Sequence, residues 1–191
     1  MQKTSLAFAC ACALAVALAG AASLRAETTG EPDTPETTAT AATAESGLPQ
    51  RQRQRLIDAY RHRVWRWQRI MGHPELRELR NPPEELTSKI AAWKRIAAKV
   101  QHRAHNPPHK RQWLCIHRYE GAWTSNTGNG YYGGLQMDIS FQRAYAPGLL
   151  RRKGTADRWT PLEQMWAAER AHRSGRGFYP WPNTARYCGL I

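Results

Sequence analysis

Glu120 has the neighbours a general acid needs. Trp113, Ile116 and Glu120 fall at i, i+3 and i+7, so they share one narrow stripe of a helix expected over residues 110–120. Gly121 breaks that helix and leaves the carboxylate at its C-terminal end, beside a polar loop. The negative end of a helix dipole and an apolar face both disfavour an ionised carboxylate. A carboxyl kept protonated near neutral pH can give its proton to a leaving group. The same spacing also suits an ordinary surface glutamate closing a helix, and spacing alone leaves both readings open.

The loop after Gly121 has the composition of a sugar site. Between Trp123 and Gln136 lie Trp, two Tyr, two Asn, Ser, two Thr and four Gly. Aromatic faces stack on sugar rings, amides and hydroxyls bond to sugar hydroxyls and N-acetyl groups, and glycines let backbone approach a ligand. Asn129-Gly130 and Gly133-Gly134 are turn formers, so an irregular hairpin or loop is expected. A glycine-rich turn with structural tyrosines has the same composition.

The run NTGNGYYGGLQ, Asn126 to Gln136, preceded by a Glu and a Trp, strongly resembles the transglycosylase-like domain of resuscitation-promoting factors, secreted muralytic proteins of actinobacteria. Gln164 with Ala168-Glu169-Arg170, then Gly177, Trp181-Pro182 and Cys188-Gly189, resemble the later landmarks of that family. The resemblance covers about residues 113–189. It implies a small lysozyme-like α+β fold, mostly helical, with a short Gly/Tyr-rich hairpin. It also implies that Glu120 is the sole catalytic carboxylate and that Trp123, Asn126, Thr127, Tyr132 and Gln136 line a glycan groove. Two departures stand out. The family's cysteine immediately precedes the catalytic glutamate, whereas Cys115 lies five residues earlier, and the spacing from Glu120 to Trp123 is shorter than usual.

The activity so implied is lytic transglycosylation between N-acetylmuramic acid and N-acetylglucosamine in peptidoglycan, which needs one carboxyl and no cofactor or metal. A muramidase-type hydrolase would want a second carboxylate. Asp138 is the nearest candidate in sequence, but its place after Gln136 reads as the start of a helix, where an acid is favoured anyway. A cell-wall glycan-binding module without catalysis is a third reading, and the action of a partner wall hydrolase is left open.

The elements that must position these residues occupy the rest of the chain. Residues 1–26 have the anatomy of a signal peptide: Lys3, then an apolar run from Leu6 to Ala22, then small-residue exits. An uncleaved membrane anchor is the alternative. Residues 27–49 are expected to be a disordered linker, acidic and poor in bulky apolar side chains. Residues 50–105 read as a basic accessory region built as an amphipathic helical hairpin. One helix covers 50–71, with Leu56, Tyr60, Val64, Trp67 and Met71 as its stripe and Gly72 as its stop. A second covers 83–104, with Leu86, Ile90, Trp93, Ala97 and Val100. This hairpin either pads the catalytic domain or binds the wall. Residues 106–191 form the catalytic domain, with helices near 110–120 and 136–146. A third starts at the capping box Thr160-Pro161-Leu162-Glu163 and runs to Arg173, capped by Gly175. Trp166 is assigned to the core, Trp159, Phe178 and Trp181 to core or groove wall, and His117 to the surface.

Charge and cysteines bound the setting. The net charge is +13, and from residue 48 onward 26 Lys and Arg face only 10 Asp and Glu. Such a body seeks a polyanion. After export that polyanion is the anionic cell wall; in a cytoplasm it would be nucleic acid, for which the chain has no motif. Of the four cysteines, Cys10 and Cys12 fall in the signal peptide. Cys115 and Cys188 remain, and in an oxidising compartment they are expected to form one disulfide. The expected setting is secreted and wall-associated.

Overall fold

In a computed structural model of the chain, the described residues are 45–191. The expected signal peptide and residues 27–44 of the expected linker lie outside them. Helix α1 (Gln50–Met71) and helix α2 (Leu86–His105) pair along the apolar stripes legible in the sequence. Ile57, Val64, Ile90, Trp93 and Ala97 form a buried cluster, with Leu56, Tyr60, Leu86 and Val100 partly buried around it. Gly72 ends α1 in the left-handed region (φ 71°), where a side chain would be strained. The connection is pinned by the Trp65 indole N–H, which donates to the Leu76 carbonyl at 2.7 Å. Helix α2 starts three residues later than the sequence suggests. Pro82 and Pro83 hold the chain extended, and Glu85 (ψ 135°) is the N-cap.

The hairpin docks on the C-terminal part of the chain. Trp67, Met71 and Ala104 share a buried cluster with Trp166, whose indole N–H donates to the Ala104 carbonyl at 2.7 Å. Arg170 donates to the Ile70 carbonyl at 3.1 Å and Arg173 to that of Met71 at 3.3 Å. Both guanidinium groups thus meet the carbonyl end of α1, where backbone acceptors are unsatisfied and cations are favoured. Arg170 also donates to the Tyr145 carbonyl. Burial, then the charge of Arg173, lowers its ordinary value to about 10, so it remains cationic at neutral pH.

The remaining residues build a mostly helical α+β fold. Helix α3 (Lys110–Glu120) has the bounds expected from the sequence. Strands β1 (Tyr131–Tyr132) and β2 (Met137–Asp138) pair antiparallel, Tyr131 opposite Asp138 and Tyr132 opposite Met137. Helices α4 (Ile139–Tyr145), α5 (Pro147–Lys153), α6 (Pro161–Ala171) and α7 (Pro182–Tyr187) complete the order. At the centre is α6, nearly all of whose residues are buried. Trp113, Ile116, Leu135, Met137, Phe141, Trp159, Met165 and Trp181 form the core around it.

Two boundaries here depart from expectation. The helix expected from residue 136 begins at Ile139, because Gln136 takes φ 44° and the next two residues pair as β2. Helix α6 forms the full capping box between Thr160 and Glu163 but stops at Ala171 instead of Arg173. The chain there widens into a π-type turn over His172–Arg176, broken at Gly175 (φ 92°). Helices α5 and α7 go beyond the sequence expectations; at 7 and 6 residues they are too short for a hydrophobic period to register. Among the described residues no helix is long and apolar enough to cross a membrane.

Cys115 on α3 is bonded to Cys188, which comes directly after α7, across 73 positions. Cross-linking so long a loop removes entropy from the unfolded chain. Replacing both cysteines by alanine is expected to lower unfolding free energy by about 2–5 kcal/mol in denaturant titrations. A shift below about 1 kcal/mol would show that the bridge is mechanically idle.

Candidate active site

One buried amide assembles the glycine-rich loop. Gln164 on α6 is fully buried. Its Oε1 accepts from the Gly134 N–H at 2.8 Å. Its Nε2 donates to the carbonyls of Trp123 at 2.8 Å, Ala156 at 2.9 Å and Trp159 at 3.1 Å. Both ends of the loop are therefore tied to one side chain. The contact also explains Gly133, where a Cβ would stand 2.4 Å from Gln164 Oε1. Further along α6, the fully buried Glu169 receives the His109 backbone N–H and the Trp113 indole N–H, each at 2.8 Å. That anchors the first turn of α3, the helix that ends in Glu120.

Trp123 is positioned by a residue the sequence assigned to the surface. The His117 ring stacks on Trp123 with centroids 3.9 Å apart and planes 20° from parallel, and its Nδ1 bonds with the Gly134 carbonyl at 3.2 Å. His117 is thus half-buried beneath the loop, on the side of α3 over which the loop folds back. A Cβ on Gly134 would meet His117 Nδ1 at 2.5 Å and Trp123 Cε3 at 2.7 Å.

Glu120 is half-buried and accepts a hydrogen bond from the Thr184 hydroxyl at 2.7 Å. Among the described residues no Lys, Arg or His forms an ion pair with it. In so basic a body this leaves an acid whose side-chain partner is a neutral hydroxyl. Thr184, on α7, was not singled out from the sequence; only folding brings it to Glu120.

A cleft of about 200 Å³ is lined by Tyr131, Gln136, Phe141, Trp181, Asp138 and Arg176 among others. Glu120 itself is outside that lining. The link between them is Gln136, whose Nε2 lies 3.9 Å from where a Gly121 Cβ would be and donates to the Gly133 carbonyl at 2.8 Å. Trp181 forms a second link. Its indole N–H donates to the Leu135 carbonyl at 2.6 Å, and it precedes the helix that carries Thr184. Of the other loop residues, Tyr132 is half-buried in β1 and forms a bridge with Asn126, while Asn126 and Thr127 lie exposed.

Asp138 is occupied. Its Oδ1 accepts from the Phe141 N–H at 2.6 Å and the Ser140 hydroxyl at 2.8 Å, capping α4. The Phe141 N–H bond foremost, with Ser140 and the charge of Arg176 adding to it, holds the carboxyl below its ordinary range. Glu163 is likewise taken up by Lys153 at 2.7 Å and by its capping box. Among the described residues no cluster of His, Cys, Asp or Glu is arranged to hold a metal ion.

Residues 108–184 match the model of the transglycosylase-like domain family. The chain is similar to resuscitation-promoting factor Rpf1 of Corynebacterium glutamicum, 40% identical over 70 residues. That stretch is 37% of this chain and 35% of the relative, so the chain spans about a third of the length of the curated protein it matches. Helices α1 and α2 precede the matched residues.

This packing has two measurable outcomes. Gly134→Ala forces its methyl into His117 and Trp123, so near-ultraviolet circular dichroism of the tryptophans is expected to change while far-ultraviolet helicity holds. The second concerns pH. Burial, then the charge of His109, lowers the proton affinity of His172, with Glu169 opposing. The two imidazole centroids are 4.0 Å apart. A histidine with lowered folded-state affinity contributes stability above its unfolded value, near about 6.5, and loses it as pH falls through the folded value. His73 shifts the same way, through burial first. The thermal midpoint is therefore expected to fall as pH drops from about 7 to 5, and His172→Asn to flatten part of that slope.

Proposed function

We propose that the chain cleaves peptidoglycan glycan strands as a lytic transglycosylase, with Glu120 as its single acid and base. The observation that carries this is the contrast between two carboxylates. Glu120 has a neutral hydroxyl for its side-chain partner, while Asp138, the acid in the cleft wall, is committed to capping a helix.

The chemistry needs no more than that. Glu120, in its acid form, gives its proton to the glycosidic oxygen between N-acetylmuramic acid and N-acetylglucosamine. The bond from the muramic acid's anomeric carbon to that oxygen breaks, leaving an oxocarbenium-like centre. The C6 hydroxyl of the same sugar then attacks that carbon, and its proton returns to Glu120. The product is an anhydro sugar, and no water is consumed. The Thr184 hydroxyl holds the carboxylate in one orientation through both proton transfers. Trp123 offers a face for a sugar ring, and Gln136, Asn126, Thr127 and Tyr132 supply hydrogen-bonding groups and a second aromatic surface. A hydrolase would instead place a second carboxylate about 5 Å away for retention, or about 6.5–9.5 Å for inversion. Asp138 is the residue that would have to serve. In this reading the protein acts outside the cell on an anionic wall, which suits its basic body.

The test is digestion of purified peptidoglycan by wild type and Glu120→Gln, with mass analysis of the released fragments. Products lighter by one water molecule are expected from wild type, and at least about a 100-fold loss in the variant. Products that have gained water would assign a muramidase and direct attention to Asp138. Wall binding without any cleavage would leave a glycan-binding module.

A further inference from the structure

The cleft lined by Gln136 and Trp181 carries one feature that the cleavage chemistry does not use. Arg176 is exposed in its wall and is the one Lys or Arg in that lining. The backbone there is bent to present it. Gly175 (φ 92°) and Gly177 (φ 54°) flank it, both in the left-handed region, and a Cβ on either would meet nothing within 4 Å. These glycines are therefore needed for the path of the chain and not for close packing. The π-type turn that replaces the last turn of α6 brings Arg176 into the same cleft wall as Tyr131.

The guanidinium is steadied without being neutralised. Its charge and hydrogen bond reach the Tyr145 hydroxyl, which also accepts from Ser174 at 3.4 Å. Its charge is felt by Asp138. Asp138 is nevertheless committed to Phe141 and Ser140, and no carboxylate among the described residues comes within ion-pair distance of Arg176. A guanidinium has five N–H donors in a planar fork that matches a carboxylate. Most of that fork is left to a cleft whose other walls include the rings of Tyr131, Phe141 and Trp181.

We infer that Arg176 is a specificity-determining residue that binds a carboxylate carried by the glycan strand in this cleft. The inference rests on the proposed glycan substrate. Two carboxylates of such a strand have the required chemistry: the lactyl carboxylate of a muramic acid stripped of its peptide, and the carboxylates of an intact peptide stem. A chitin-type oligomer of N-acetylglucosamine has neither. Arg176 thus distinguishes wall glycan from neutral glycan through charge, while the aromatic rings hold any sugar chain.

The experiment measures binding, so that it does not depend on turnover. Full-length Glu120→Gln protein and the Glu120→Gln/Arg176→Gln double variant are titrated calorimetrically with three oligomers of equal length. These are neutral N-acetylglucosamine oligomer, stem-free wall glycan and stem-bearing wall glycan. Adding the second change is expected to weaken binding of an acidic oligomer about fivefold, as for a single exposed ion pair, and that of the neutral one by less than about twofold. The difference should shrink in high salt, and Arg176→Lys should restore part of it. Loss confined to the stem-free oligomer assigns the lactyl carboxylate, and loss confined to the stem-bearing one assigns the stem. Equal loss on all three oligomers, or no loss on either acidic one, overturns the inference. Failure of the cleavage reading shows separately, as wild-type protein that binds these oligomers and releases no fragments.

Discussion

A carboxamide with no exposed surface organises this molecule. Gln164 gives its oxygen to one end of the glycine-rich loop and its nitrogen to the other end and to the turn before α6. The two N–H donors of this amide are shared among three carbonyls and its oxygen accepts one N–H, so both of its buried polar atoms are paired. An amide that lost these bonds would carry the desolvation cost of those atoms. The loop is held by Leu135 in the core and by Trp123 and Tyr132 packed against it, and its path between them is set by this amide and by the His117–Trp123 stack. The loop residues are consequently placed from behind, by a side chain that lies outside the cleft. Glu169, on the same helix, fixes the first turn of α3 and hence the direction in which Glu120 leaves it. A single buried helix therefore sets both the carboxylate and the loop beside it.

Much of this was legible in the sequence, for identifiable reasons. Helices α1 and α3 have strong apolar spacing and end at glycines, so their bounds match expectation. The Thr160–Glu163 capping box is a local device, and local devices survive folding unchanged. Asp138 read as a helix start and is one. What could not be read depends on residues far apart in the chain. Thr184 meets Glu120 across 64 positions, and Glu169 meets Trp113 across 56. His117 seemed external because helical spacing says which face a residue occupies but not what later folds over that face. Gln136 defeated the helix expected from residue 136 because a non-glycine residue with φ 44° has no sequence signature.

The accessory hairpin belongs structurally to the rest. Trp166, Arg170 and Arg173 reach it from the region matched to the family, and they do so through its backbone carbonyls as much as through side chains. A carbonyl is the same whatever residue carries it. The seam therefore constrains the path of α1 and α2 while leaving their exposed basic residues free to differ. Any surface the hairpin presents is held at a fixed angle to the domain behind it.

The bond between Thr184 and Glu120 has a consequence in time as well as in space. The α1–α2 pairing joins neighbours in sequence and can form early, because the chain segment to be closed is short. The Glu120 site waits for α7, the last helix, to return to α3, and closing longer segments takes more chain entropy. Once that return is made, the bridge from Cys115 to Cys188 ties the end of α7 to α3 and so holds Thr184 beside the carboxylate.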